Sequence, residues 1–242
     1  MNKNDILRSH FFSAIIKIHL VMSMNEFDNL INQLSTCDKC LNLKNKNQEN
    51  CFLINIFQNK DFCMKIPSIW IDWKNRLDAN IMIIGQDWGP YVEMQKFYNE
   101  YKKSETIENW KHLIEEEKSL TKRNLKKFIY QSAQNNSIQL EENFIDTIYI
   151  TNAILCARQG NNYRSDSIKL KDCTLNCSEY LEKQIEIVKP KVILTLGYYP
   201  LLSLSKIYNF KIANSLTKTI ELYSLFQIDN ITIFLYIIQQ PK

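Results

Sequence analysis

The chain has 242 residues, 45% of them hydrophobic and 12% aromatic, with 30 basic against 26 acidic side chains and a net charge of +4. That much apolar material excludes a disordered chain, and only 4 glycines and 5 prolines exclude a collagen-like or linker-rich one. The mild positive charge allows a polyanionic partner, and a mixed, solvated surface accounts for it equally well.

In chain order, the apolar stretch from Phe11 to Met22 is interrupted by Lys17 and His19. It is too broken for a membrane span and lacks a small-residue cleavage site, so no membrane association is expected. An amphipathic helix or a later start at Met22 or Met24 accounts for it. Phe27, Leu30, Ile31 and Leu34 recur at helical spacing and predict a helix over 26–35. Cys37 and Cys40 follow as a C-x2-C pair, which needs a second thiolate pair from elsewhere to complete a four-sulfur site. Residues 41–62, rich in Asn, Lys and Gln, form an irregular excursion around Cys51 and Cys63.

Ile81–Ile84 is a continuous apolar run, the pattern of a strand buried on both faces, and it leads into the polar loop Gly85–Tyr91. Residues 92–132 have helical character, with Leu125, Phe128 and Ile129 on one apolar side. A second strand, Ile145–Ile150, ends at Thr151-Asn152, with Cys156 just beyond. A helix is predicted from Thr174, as its cap, to Val188, with Cys177 in its opening turn and Pro190 as its stop. Val192–Leu196 is a third strand closed by Gly197, Tyr199–Ile207 a helix, and Ile231–Ile238 the last strand. This alternation predicts an α/β fold: a three-layer α/β/α arrangement around a mainly parallel, four-stranded central sheet. The whole chain, 1–242, is expected to form a single domain with 1–35 as a helical extension. Asp87, Asn152 and Gly197 each follow a strand, so they converge on one sheet edge.

Seven cysteines, an odd number without an export signal, suit a reducing cytoplasmic location, where clustered thiols bind metal more often than they bridge. At the Gly85 loop, glycine allows a sharp turn, and Gln86 and Asp87 offer an amide and a carboxylate to a cleft; a plain turn with Asp87 capping the next helix explains the same residues. Asn152 presents a donor and an acceptor suited to the edge of a base, or alternatively satisfies loop backbone. Arg158, Arg164, Lys169 and Lys171 lie among Gly, Asn and Ser in 157–171, a composition that fits a phosphate-contacting loop or a solvated one.

Taken jointly and in order, these pieces resemble the uracil-DNA glycosylase superfamily, and within it the iron–sulfur, family 4-like members. The resemblance covers roughly 30–240. It rests on the C-x2-C pair, the Gly-led loop, Thr151-Asn152 leading to Cys156, the Cys177-x2-Tyr180-Leu181-x2-Gln184-Ile185 helix, and Pro190-Lys191-Val192-Ile193 running to Leu196-Gly197. It implies that Cys37, Cys40, Cys156 and Cys177 hold a structural [4Fe–4S] cluster, with zinc as the chemical alternative and Cys173, Cys51 and Cys63 as rival ligands. It implies hydrolysis of the N-glycosidic bond of uracil, or another altered base, in DNA by a monomer. Asp87 would position water, Asn152 read the base, Tyr91 crowd its C5 position, and Phe97, or else Tyr98, stack on it. Gly85 and Gln86 complete the pocket, and Arg158, Arg164 and Lys169 contact DNA. The iron–sulfur members usually carry Glu-x-Pro-Gly in the loop. Gln86-Asp87 looks more like the loop of the single-domain enzymes, with Trp88-Gly89 inserted. The family's His-Pro after the last strand is replaced by Gln240-Pro241, the only histidines being His10, His19 and His112, and the usual final helix is missing, so the C-terminus is short for the family. Weak or absent excision is therefore expected, with a catalytically inactive nucleic-acid-binding member as the alternative.

Overall fold

The computed structural model describes residues 23–41, 43, 53–58, 73–92, 95–96, 99, 120–141, 144–159, 170–213, 218–219, 225–228 and 231–236. The strands are β1 (Leu53–Ile54), β2 (Ile81–Gly85), β3 (Tyr149–Asn152), β4 (Ala157–Arg158), β5 (Val192–Leu196), β6 (Leu225–Ile228) and β7 (Ile231–Tyr236). The helices are α1 (23–36), α2 (Leu120–Asn135), α3 (Leu170–Val188) and α4 (Tyr198–Ile207).

β2 sits between β3 and β5, parallel to both, and β5 is parallel to β7, which gives the four parallel strands expected. The sheet order is β3-β2-β5-β7-β6, so an antiparallel strand, β6, adds an edge that the sequence reading lacked. In the sequence only Asp229-Asn230, residue types suited to a hairpin, separate β6 from β7. A second, two-stranded sheet pairs β1 with β4 antiparallel.

The sheet is covered on both faces. Met82, Ile84, Tyr149 and Ile193 face one side, where α1, α3 and α4 contribute Phe27, Leu30, Leu181, Ile185, Leu201 and Leu204. Ile83, Ile150 and Leu196 face the other, against Leu125 and Ile129 of α2. Met82, Ile83 and Ile84 are fully buried, because a strand flanked by two strands and two layers has no solvent-facing side. Each such side chain contributes roughly 1.5–3 kcal/mol from burial. The crossover from β2 to β3 passes α2 on one face, and those from β3 to β5 and from β5 to β7 pass α3 and α4 on the other. The chain reverses its winding beside β2, and open sheets place ligands at the carboxyl ends of strands at such a switch point.

β3 is the other edge, and its outer carbonyls are covered. The indole of Trp73 donates to the Ile150 carbonyl at 2.7 Å, and buried Arg76 donates to that of Ile148 at 3.2 Å. Trp73 stacks on Phe57 and Tyr149 with ring centroids 5.6 and 5.9 Å apart. This belt satisfies an edge that would otherwise template pairing with another chain.

Two local expectations are corrected. Residues 144–147 form a 3-10 turn, and the second strand starts only at Tyr149. α3 begins at Leu170, so Thr174 is no cap: it lies fully buried inside the helix, and Cys177 follows in the third turn. α1 packs into the main core through Phe27, Leu30, Ile31 and Leu34. Residues 1–22 and most of 92–119 lie outside the described residues. Among the described residues no helix is long and apolar enough to cross a membrane.

The Thr174 hydroxyl is buried without a hydrogen-bond partner among the described residues. Thr174→Val keeps the shape and helix propensity while removing that group, so it should stabilise the fold by about 1 kcal/mol. Urea denaturation with an unchanged m-value checks it.

Candidate functional site

The carboxyl ends of β2 and β3 form one surface. The parallel register sets Gly85 directly beside Asn152. A Cβ on Gly85 would stand 2.5 Å from Asn152 Oδ1, so the amide occupies the space that only glycine leaves. Beyond the strands the two chains stay joined. Ala153 N donates to Gly85 O and Ile154 N to Gln86 O, both at 2.9 Å, and Arg158 N donates to Gly89 O at 3.0 Å. The Trp88 indole donates to Leu155 O at 3.0 Å and lies 5.8 Å from the ring of Trp73. Gly89, at φ +77°, supplies the left-handed turn of the loop.

Asn152 is 2% exposed, and among the described residues its side chain makes no hydrogen bond. A buried amide normally has partners, since leaving one unsatisfied costs about 1–3 kcal/mol. An unspent donor and acceptor at a strand end can be filled by a planar ligand carrying the complementary pair. The neighbouring Thr151 hydroxyl is likewise buried without a partner.

Asp87 is committed on both oxygens. Its Oδ1 accepts from Gly89 N at 2.7 Å and from Arg158 Nη2 at 3.3 Å, and its Oδ2 accepts from Gln86 Nε2 at 2.9 Å. The Asp87 and Arg158 side chains are only 5% and 11% exposed. Arg158, expected on an outward phosphate-contacting loop, therefore turns inward from β4. Half-buried Tyr91 packs against the main core just after Pro90, whose backbone bridges to Arg158.

The second constellation is built of thiols. Cys37, Cys40, Cys156 and Cys177 line one cavity with Asn55, Asn176, Leu155 and Tyr180, enclosing about 280 Å³ of empty space, open solvent included. Buried Asn55 holds the turn after α1: its Nδ2 donates to Leu34 O at 2.7 Å and to Cys37 O at 2.8 Å. Asn176 of α3 donates to Lys39 O at 3.2 Å and lies 3.8 Å from Cys40 Sγ. An exposed Lys39–Glu179 pair at 2.6 Å ties the same turn to α3.

Hydrogen bonding from Cys173, then Cys177, pulls the Cys40 thiol down to about 4. Burial, followed by the charges of Cys40 and Cys37, pushes Cys156 up to about 12. Hydrogen bonding with Cys40 and then burial raise Cys177 well above the usual thiol range. Cys40 is thus lowered while Cys156 and Cys177 are raised. This suits a ligand set that surrenders protons to a bound cationic centre, as thiolate sites do. Among the described residues no three His, Cys, Asp or Glu side chains are preformed around a single metal ion. Cys173 touches Cys40 but does not line the cavity.

The structure thus brings Gly85, Gln86, Asp87 and Asn152 together and gathers the four cysteines separately. Phe97, Arg164, Lys169 and Gln240, and the rival thiols Cys51 and Cys63, lie outside the described residues. The family model described as Uracil DNA glycosylase superfamily matches residues 72–236. The chain belongs to that superfamily. The match begins just before Trp73 and ends with β7, so it takes in the whole five-stranded sheet of the glycosylase fold, whereas Cys37 and Cys40 lie ahead of it. No curated protein matches the chain.

Sequence reasoning missed the anchors of these two constellations: Trp73 and Trp88 at the strand ends, and Asn55 and Asn176 at the thiol cavity. Trp88 carried a signal, since a large aromatic between Asp and Gly in a polar loop has to bury somewhere. Asn55 and Asn176 carried none, being two amides in an Asn-rich chain.

Gly85→Ala should push the Asn152 amide out of place, destabilise the protein by about 1–3 kcal/mol, and abolish whatever binding Asn152 supports. Thermal unfolding together with titration by free uracil tests both effects.

Proposed function

We propose that this superfamily member is a DNA glycosylase-type hydrolase that cleaves the N-glycosidic bond of uracil, or another altered base, in DNA. The observation that carries this reading is the buried, unspent amide of Asn152 beside the Asp87 loop. The base leaves the stack, at a cost of a few kcal/mol when paired, and enters at the strand ends. Asn152 offers Oδ1 to a ring N–H and Nδ2 to a carbonyl, the arrangement on a uracil edge and the reverse of that on cytosine. Asp87 holds the attacking water through Oδ2 and opposes the positive charge that develops on the sugar. Gly85 makes room for the reader and Gln86 steadies the carboxylate. Tyr91 limits bulk at C5, Phe97 stacks on the base, and Arg164 and Lys169 meet phosphates. The protein acts as a monomer in the cytoplasm.

Cys37, Cys40, Cys156 and Cys177 hold a [4Fe–4S] cluster in this proposal, supported by the four thiols around one cavity and by the resemblance of the cysteine order to iron–sulfur members. The cluster's contribution is structural, tying the turn after α1 to the segment after β3. A zinc ion is the alternative, and iron analysis separates them: anaerobic protein should carry about four irons and about four acid-labile sulfides per chain.

Gln240 stands where the family carries a histidine that donates to the base oxygen. A lost preorganised donor costs about 10²–10³ in rate, so excision should be slow. That substitution also favours the second reading, a member that binds nucleic acid without cutting it. Incubation with single-stranded uracil DNA followed by alkaline scission distinguishes them. The hydrolase reading expects slow base release, lowered about 10²-fold but still measurable in Asp87→Asn and raised about 10²-fold in Gln240→His. Binding with no release from either the wild type or Gln240→His would establish the second reading.

A further inference from the structure

We infer that Arg158 is a positioning residue for Asp87 rather than a contact to DNA phosphate, an inference that rests on the hydrolase reading above. A carboxylate has about four lone-pair sites, two on each oxygen. Gly89 N–H and Arg158 Nη2 take both sites of Oδ1, at 2.7 and 3.3 Å. Gln86 Nε2 takes one site of Oδ2, at 2.9 Å. One directed site remains, on Oδ2. Arg158 thereby selects which oxygen faces a water and at what angle the carboxylate plane is held.

The guanidinium is aimed by its own backbone. Arg158 lies in β4, whose antiparallel partner is β1. Its N–H donates to Gly89 O at 3.0 Å, and it bridges to Pro90. Asp87 and Arg158 are therefore held together twice, once by side chains and once by the main chain on either side of Gly89. A phosphate contact needs a cation that reaches solvent. The Arg158 side chain is 11% exposed, and its Nη2 lies against a carboxylate that is itself 5% exposed. DNA would have to break a buried ion pair to recruit it, which is unfavourable because the abandoned carboxylate stays buried and unpaired.

The two roles separate in kinetics. A phosphate-contacting arginine supports affinity uniformly, and its removal lowers the salt slope of DNA binding by about 1. A positioning arginine supports the chemical step, where misplacement of a reacting group costs about 10²-fold. The test uses the full chain with its metal centre and the variants Arg158→Met, Arg158→Lys, Asp87→Asn and Asp87→Asn/Arg158→Met. Expected are a kcat about 10²-fold lower in Arg158→Met with KM and salt slope unchanged, about tenfold recovery in Arg158→Lys, and a double variant no slower than Asp87→Asn alone. An unchanged kcat, or a raised KM with a salt slope lower by about 1, overturns the inference.

Absence of base release by the wild type would count against the hydrolase reading alone. Amide exchange over 86–89 then decides the positioning role: exchange about tenfold faster in Arg158→Met supports it, and unchanged exchange overturns it. Should Arg158→Met fail to fold, Arg158→Lys and the double variant, which buries no unpaired charge, carry the same comparison.

Discussion

Strand β2 has no free edge and no free face, and the rest of the structure is arranged around that constraint. Its backbone is paired on both sides by parallel ladders, and its side chains are enclosed by α2 on one face and the α1, α3 and α4 layer on the other. Such a strand has one admissible register, because a slip of one residue would exchange its two buried faces. The register carries Gly85 to the level of Asn152, and the amide lies in the space above the glycine. The geometry at these strand ends therefore follows from core packing rather than from the loop that displays it.

Two chemistries that look separate along the chain meet in the segment after β3. Leu155 O receives the Trp88 indole, Cys156 lines the thiol cavity, and Arg158 grips Asp87. The thiol cavity is closed from three directions: the turn after α1 held by Asn55, the segment after β3, and α3. Hydrogen bonds from neighbouring thiols pull Cys40 down to about 4, and burial, ahead of the charges of Cys40 and Cys37, pushes Cys156 up to about 12. A bound cationic centre would favour the thiolate form of each of them.

Much of the fold was legible in the sequence because burial leaves a simple mark. Ile81–Ile84 and Val192–Leu196 are continuous apolar runs and became β2 and β5 with almost the predicted bounds. The end of α3 was legible from Pro190. Its start was not, since Thr174 has the chemistry of a cap while its position is set by tertiary burial against α4. β6 was missed because a four-residue edge strand carries little pattern. At the site, Gly85, Asp87 and Asn152 could be named from strand ends and order. The partner of Asp87 could not, because Arg158 lies 71 positions away in a basic run whose composition suggested an outward role. Contacts that depend on the folding back of one loop onto another leave no periodicity to detect.

The stretch from Asn152 to Arg158 has a further consequence. Its two ends and its middle are each fixed to a different neighbour: the β2 register, the Trp88 indole and the thiol cavity, and the Asp87 carboxylate. Substitutions between these anchor points change one contact at a time. A one-residue insertion or deletion would move the anchors relative to one another and misalign them together. In this segment it is the residue count, more than the residue identity, that the architecture holds fixed.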